Sequence, residues 1–175
     1  RTFGNYVGQH GLVMEDGLPN AGTVSVARAG RVYDLCAHQE IKTTVADGVT
    51  SFPVALGPGE GRLFLITPTP LQKTILTLPQ QASRPSAHSN LGAPYELQIR
   101  ITDGRGKSAN AVVPLAVRIV DPNGQEAEYS GYHAAVNGAL DLTLQPAIND
   151  TPGVWTVTVD NLASGETVSK TVTLE

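Results

Sequence analysis

Carboxylates are the residues of this chain that are best suited to catalysis. Hydrolysis of a glycosidic bond, for example, needs two carboxyl groups that face one cleft. The second half of the chain carries Asp121, Asp141, Asp150 and Asp160, each at a strand end or a solvent-facing position of the pattern. An aspartate in such a place ordinarily caps a turn through its side-chain oxygen. We therefore predict that the chain is not an enzyme and has no catalytic residue, and the acidic loops leave a weak Ca²⁺ site open.

Three neighbouring side chains are the best candidates for binding a ligand. Tyr129, Tyr132 and His133 follow two glutamates near the end of a strand-like run. Sugar-binding sandwiches present exposed aromatic rings that stack on pyranose faces, so a polysaccharide is the ligand to expect there. The alternative is that these rings only cover the edge of a sandwich. Trp155 shares the parity of the valines two and four positions later, which predicts a place in the core.

The other reactive residue types form no recognisable site. Cys36 is the single cysteine, so an internal disulfide is impossible, and we interpret it as a small buried apolar side chain. The four histidines are scattered without the spacing of metal ligands. Residues 57–61 are rich in glycine, but a strand-like run follows where a phosphate-binding loop would enter a helix, which predicts a tight turn. We expect neither a metal nor a cofactor.

The elements that must position these residues are strands. Apolar and polar residues alternate through runs such as 97–102, 140–145 and 155–160. A period of two is typical of antiparallel strands with one face on a core, and no long window has a helical period. Four residue pairs that tolerate positive φ separate the runs. They predict turns at Asp47-Gly48, Asp103-Gly104, Asn123-Gly124 and Asn137-Gly138.

The spacing of these runs predicts an all-β fold of two consecutive antiparallel β-sandwiches, because twelve short strands are too many for one small sandwich. We place the first domain at residues 1–70 and the second at 71–175, with the boundary near Pro70. The second domain has the size and strand number of an immunoglobulin-like sandwich. The predicted strands are 2–7, 22–28, 31–36, 50–56, 61–67, 72–78, 95–102, 113–120, 125–133, 139–145, 154–160 and 167–174.

Composition restricts the partners of the chain. Its 175 residues carry a formal net charge of −4 and no cluster of Lys or Arg, so we predict binding to neither nucleic acid nor membrane. Charged residues are 16% and hydrophobic residues 41%, which excludes a disordered chain. The sequence begins at Arg1 without a Met, and we expect it to be a piece of a longer protein.

Two stretches of the sequence resemble accessory modules of a known family. Residues 31–35 (Arg-Val-Tyr-Asp-Leu) and 52–66 resemble the C-terminal β-sandwich of many glycoside hydrolases, in which a Leu-x-Pro-Gly-x-x-Arg-Leu-Phe hairpin closes the module. Residues 117–124 and 149–159 resemble the immunoglobulin-like or macroglobulin-type modules of large bacterial hydrolases of the β-galactosidase-like kind.

This resemblance implies an accessory role and no activity, because the catalytic acid and nucleophile of that family lie in an upstream barrel. The chain would space, pack against or help assemble the upstream catalytic domain of the same protein, with homo-oligomer contacts as one route. An extracytoplasmic location (secreted, periplasmic or at the cell surface) is implied too. Two other functions stay open: a carbohydrate-binding module with its site on loops of the second domain, and a structural, adhesin-like surface protein.

Overall fold

The computed structural model describes residues 20–78 and 94–174, and within these ranges every regular element is a β-strand. The predicted all-β fold is therefore confirmed. The chain divides into two compact units, Arg1–Ile66 and Thr67–Glu175. No helix long and apolar enough to cross a membrane is found among the described residues. The strands are β1 (Asn20–Val26), β2 (Arg31–Asp34), β3 (Gln39–Ile41), β4 (Thr44–Ala46), β5 (Val49–Leu56), β6 (Phe64–Thr67), β7 (Leu71–Thr77), β8 (Tyr95–Asp103), β9 (Val113–Val120), β10 (Gly131–Ala135), β11 (Ala139–Leu144), β12 (Gly153–Asn161) and β13 (Thr167–Leu174).

The first unit contains two three-stranded sheets, with the orders β1-β5-β4 and β3-β2-β6. Val32 and Tyr33 on β2 and Phe52 on β5 are almost fully buried. The Phe52 and Phe64 rings meet edge to face, with centroids 5.1 Å apart and planes at 67°. Because these two rings belong to different sheets, their contact closes a small sandwich, and the part of it that is described has few large core side chains.

The second unit is an antiparallel sandwich of seven described strands. A sheet of order β11-β8-β7 faces a four-stranded sheet of order β10-β9-β12-β13. The smaller sheet thus contains β7, β8 and β11, and β10 pairs within the larger sheet. This distribution of seven strands over two sheets is immunoglobulin-like. The predicted alternation is confirmed, because the apolar residues of these strands lie on the inward faces of the two sheets. The residues that alternate there are Leu97, Ile99, Ile101, Leu115, Val117, Ile119, Trp155, Val157 and Val159.

Two of the predicted turn pairs have both residues at positive φ but play different roles. Asp47 and Gly48 (φ 50° and 77°) connect β4 to β5 as a two-residue hairpin, in which Ala46 pairs with Val49. Asn137 and Gly138 (φ 52° and 70°) instead carry the chain from β10 to β11, which lie in different sheets. A Cβ at Gly138 would approach the carbonyl oxygen of Ile101 to 2.7 Å, so the second turn needs glycine for space as well as for φ.

Parts of the strand prediction are wrong. The strand expected at 125–133 begins only at Gly131, because the preceding residues form a loop in which Ala127 N donates to Ile119 O at 2.8 Å. The strands β3 and β4 were not predicted, since three residues are too few for an alternation to be visible. The strand expected at 2–7 lies outside the described residues. The division between the units falls after Ile66, beside the link that the sequence places near Pro70.

Candidate functional site

Tyr129 lies in the loop before β10 and is held by the backbone. Its hydroxyl donates to Gln145 O at 2.8 Å and accepts from Gln145 N at 3.1 Å. One donor and one acceptor site of the phenol are thereby used inside the unit. The hydroxyl of Tyr129 is thus occupied within the unit, and only the ring remains available to a ligand.

Tyr132 and His133 are consecutive on β10 and therefore point to opposite faces of the sheet. The Tyr132 side chain is 84% exposed. His133 pairs in register with the fully buried Leu115, and its Nε2 is buried without a hydrogen-bond partner in the part of the chain that is described. The structure therefore does not gather the three candidate residues into one aromatic platform.

A cavity of about 340 Å³ lies at one end of the immunoglobulin-like unit, and Tyr129 is part of its wall. Its floor is apolar and includes Leu144, Trp155 and Leu174, the ends of inward-facing rows on three strands. Trp155 is only 7% exposed, which confirms its prediction as a core residue, and its Nε1 donates to Thr151 O at 2.9 Å. The sequence pattern identified the core position but not the cavity, because alternation does not reveal where two facing sheets separate.

Five acidic residues lie at the rim of this cavity: Glu96, Asp121, Glu126, Glu128 and Asp150. No Lys, Arg or His occurs among the described residues that line the cavity. The five carboxylates do not all face the opening, because Glu96 alternates with the inward Leu97 on β8 and Glu126 lies 3.5 Å from Arg118.

Asp121 organises one rim loop by itself. Its Oδ1 accepts from the backbone N–H groups of Asn123 (2.9 Å) and Gln125 (2.7 Å), and its carbonyl accepts from Gly124 N at 3.0 Å. Gly124 has a φ of 81°, which confirms the turn predicted at Asn123-Gly124. Asp150 likewise accepts from Ala147 N at 2.8 Å. The predicted turn-capping role therefore holds for both rim aspartates.

The Asp103 loop repeats the Asp121 loop. Asp103 Oδ1 accepts from Arg105 N (2.8 Å) and Lys107 N (3.0 Å), and the positive φ falls at Gly106 rather than at the predicted Gly104. These two backbone bonds lower the pKa of Asp103 below its ordinary value. Both loops thus follow one pattern, Asp-x-x-Gly-x, in which the carboxylate closes the turn.

The remaining two candidate carboxylates have other partners. Asp141 pairs with Arg100 at 2.6 Å on the surface of the smaller sheet. Asp160 accepts from the Thr167 hydroxyl at 2.5 Å on the outer face of the larger sheet. Groups of three or more residues that could together hold a metal ion are not found in the described ranges.

A charged cluster of Asp34, Glu60 and Arg62 lies beside the glycine-rich turn of the first unit. The Glu60 carboxylate accepts from Gly57 N at 2.7 Å within residues 57–61, which confirms the predicted tight turn. Arg62 bridges Glu60 (2.6 Å) and Asp34 (2.8 Å). Burial acts to raise the pKa of Asp34, but backbone N–H groups of Ala37 and Cys36 and the Arg62 guanidinium outweigh it and hold that pKa below its ordinary value.

The prediction that Cys36 is buried is wrong. The thiol is exposed, although free cysteines are commonly buried, because β2 ends at Asp34 and Cys36 lies beyond it. The backbone N–H of Cys36 donates to Asp34 Oδ1 at 2.8 Å, so the residue belongs to the turn that follows the strand.

Comparison with known proteins adds little to the description of this chain. No known family matches the chain, and no curated protein does. Seven solved chains match, among them the crystal structure of a tetra-tandem repeat in the extending region of a large adhesion protein. That match has 14% identity and a TM-score of 0.34, and it covers 91% of this chain but only 43% of the other. A likeness at that level carries no argument about this chain.

The fold alone thus defines the class: an all-β protein of consecutive antiparallel sandwiches, the second of them immunoglobulin-like. The resemblance to accessory modules of glycoside hydrolases is tested by none of these comparisons and stays a prediction.

Proposed function

We propose that this chain is a non-catalytic spacer and packing region of a longer protein. The observation that carries the proposal is the way in which the connections of the immunoglobulin-like unit are locked by their own side chains. Asp103 and Asp121 close two strand connections with the same set of hydrogen bonds. Loops fixed in this way resist deformation, as a module that transmits position or force requires.

A polar clamp between the two sheets supports the same function. Asn161 is 1% exposed, and its Oδ1 accepts from Ala163 N and Ser164 N, both at 3.1 Å. Its Nδ2 donates to Thr74 Oγ1 at 3.1 Å on β7, across the sandwich, and Glu166 accepts from Thr74 N at 2.5 Å. Buried hydrogen bonds that join facing sheets oppose sliding of one sheet over the other.

The link between the units supports a spacer as well. Only three residues separate β6 from β7, and two of them are Pro68 and Pro70. Their rings fix φ, and the Thr67 hydroxyl donates to Thr69 O at 2.6 Å within the same link. A short proline-rich connection behaves as a stiff joint rather than a flexible tether.

The parent protein follows from the sequence resemblance alone. We propose a large extracytoplasmic protein of the glycoside hydrolase-like kind, in which this region packs against an upstream catalytic domain or mediates contacts between copies. The structure adds one supporting observation for this parent protein. Residues 31–35 and 52–66, which carry the resemblance, contain Asp34, Glu60 and Arg62, and these three side chains form one ion-paired cluster.

The spacer function is tested by the distribution of distances between the two units. The exposed Cys36 carries one spin label, and Lys170→Cys on the exposed part of β13 carries the other. We expect a narrow distribution that Pro68→Gly/Pro70→Gly broadens, whereas the matched control Pro122→Gly, outside the link, leaves the width unchanged. An unsubstituted chain whose distribution is already as broad as that of the glycine variant contradicts the proposal.

Carbohydrate binding is a second candidate, favoured by the 84% exposure of Tyr132. If this ring stacks on sugars, Tyr132→Ala abolishes retention on insoluble polysaccharides. Tyr129→Phe is the control, because it keeps the ring and removes only the hydroxyl that Gln145 binds. Equal retention of all three proteins, or no retention of any, would remove this candidate.

A further inference from the structure

We propose that the Thr74 hydroxyl and the Asn161 carboxamide form a covalent ester, which joins β7 to β12 across the sandwich. In this self-modification Thr74 Oγ1 bonds to Asn161 Cγ, the bond between Cγ and Nδ2 breaks, and Nδ2 leaves as ammonia. The hydroxyl proton passes to the leaving nitrogen, so the reaction needs no oxidant and no co-reactant. It does not depend on the spacer function.

The nucleophile and the amide that it attacks are already in contact. Asn161 Nδ2 donates to Thr74 Oγ1 at 3.1 Å, and Nδ2 is bonded directly to the carbon that the hydroxyl attacks. Thr74 and Asn161 are 3% and 1% exposed. Because the fold holds the two groups together and nearly excludes water, the entropy cost of bringing them together is already met and hydrolysis competes little.

The carbonyl group of the Asn161 side chain is polarised by the backbone. Its Oδ1 accepts from Ala163 N and from Ser164 N, both at 3.1 Å. Attack on Cγ moves negative charge onto this oxygen, and two converging N–H groups are the arrangement that stabilises an oxyanion in acyl transfer. The turn that follows β12 therefore provides an oxyanion hole for this side chain.

A carboxylate lies beside the residue that carries the nucleophile. Glu166 Oε2 accepts from the backbone N–H of Thr74 at 2.5 Å. A carboxylate in this place takes up the hydroxyl proton and returns it to the departing nitrogen, first as a general base and then as a general acid. Glu166 belongs to the same connection between β12 and β13 as the two N–H donors, so one short segment provides both contributions.

The type of residue 161 distinguishes this turn from two other capped turns of the unit. Asp103 and Asp121 cap theirs with a carboxylate, which is a poor electrophile. Asn161 caps its turn through Oδ1 in the same way, but it carries an amide whose nitrogen contacts the buried Thr74 hydroxyl. A carboxylate would cap this turn equally well, whereas the loss of ammonia requires the amide.

Mass spectrometry of the full chain tests the proposal. We expect the intact mass to be lower than that of the printed sequence by one ammonia. Digestion after Lys and Arg should then give one cross-linked species that contains residues 74 and 161, because Arg100 and Arg118 lie between them. Fragmentation of this species should place the link at these two side chains.

Three variants separate ester formation from the clamp as a set of hydrogen bonds. Thr74→Val removes the hydroxyl at similar volume and should keep the full mass, whereas Thr74→Ser retains a nucleophile and should again lose ammonia. Glu166→Gln still offers an oxygen to Thr74 N but takes up no proton, so ammonia loss in freshly synthesised chain should slow by about a hundredfold or more. Thermal unfolding followed by Trp155 fluorescence verifies that each variant is folded.

Three results would overturn the ester. One is the full mass in the folded, unsubstituted chain after long incubation. Another is a loss of ammonia that persists in Thr74→Val, which would assign it to a succinimide at an asparagine such as Asn123 or Asn137, each followed by glycine. The third is ammonia loss without a cross-linked species. A narrow distance distribution between the units, found together with the full mass, would remove the ester and leave the spacer function intact.

Discussion

The two units of this chain are stabilised in different ways. Among its described residues the first has few large buried side chains, and its β5–β6 connection is held by a charged cluster of Asp34, Glu60 and Arg62. The second has continuous inward rows on three strands, and its turns are closed by Asp103, Asp121 and Asn161. A small unit with little apolar surface to bury depends more on polar contacts, and those contacts depend on pH.

The largest effect is expected from Phe52→Ala in the first unit. The loss of a buried phenylalanine costs about 3–5 kcal/mol, which is comparable to the whole stability of so small a unit. Amide NMR spectra should lose the dispersed signals of residues 20–66 and keep those of the second unit. Ile148→Ala, at an 84% exposed side chain, is the control and should change neither. Loss of signals from both units would show that they do not differ in the way described.

Gly138→Ala should have the next largest effect, about 1–3 kcal/mol, because its φ is 70° and its Cβ would meet backbone atoms of Ile101 and Ala109 within 3 Å. The control is Gly106→Ala, which has a φ of 75° but open space around its Cβ. Urea unfolding followed by Trp155 measures both. If the two variants are equally destabilised, backbone strain alone explains the effect and the close approach does not matter.

Asp121→Ala should destabilise the second unit by about 1–2 kcal/mol, because two backbone N–H groups lose their acceptor. Asp121→Asn retains a side-chain oxygen and should recover most of the loss. The same urea titration compares them. An asparagine variant as unstable as the alanine variant would mean that charge, rather than the turn geometry, closes the loop.

The smallest effect at neutral pH is expected from Asp34→Asn, which instead changes how the stability of the first unit responds to acid. The folded-state pKa of Asp34 lies below its unfolded value, so its ionised form stabilises the first unit at neutral pH. That contribution is lost as the pH falls from the ordinary carboxyl range through the folded-state pKa. We expect the free energy of unfolding of this unit to fall less steeply below neutral pH (its acid branch) in Asp34→Asn than in the unsubstituted chain. Hydrogen exchange measures this free energy. Asp47→Asn removes a carboxylate that forms no ion pair within the described residues, and this control should leave the acid branch as steep as in the unsubstituted chain.

Much of the fold was predictable because its causes are local. The alternation along β8, β9 and β12 is visible in the sequence, and three of the four predicted Asp-Gly and Asn-Gly pairs do take positive φ at their glycine. The candidate site was less predictable. Tyr129, Tyr132 and His133 are neighbours in the chain, yet strand geometry turns Tyr132 and His133 to opposite faces, and Tyr129 joins a cavity wall instead.

The amino-acid sequence by itself determined the strand period, most turn positions and the lack of a Lys/Arg cluster along the chain, since each depends on residue types within a few positions of one another. Only the tertiary structure decided which residues line the same cavity. Glu96 and Asp150 are 54 positions apart and reach the same cavity because β8 and the loop before β12 end at the same end of the sandwich. The exposure of Cys36 was decided there too, because the end of β2 depends on its partner strands and not on its own pattern.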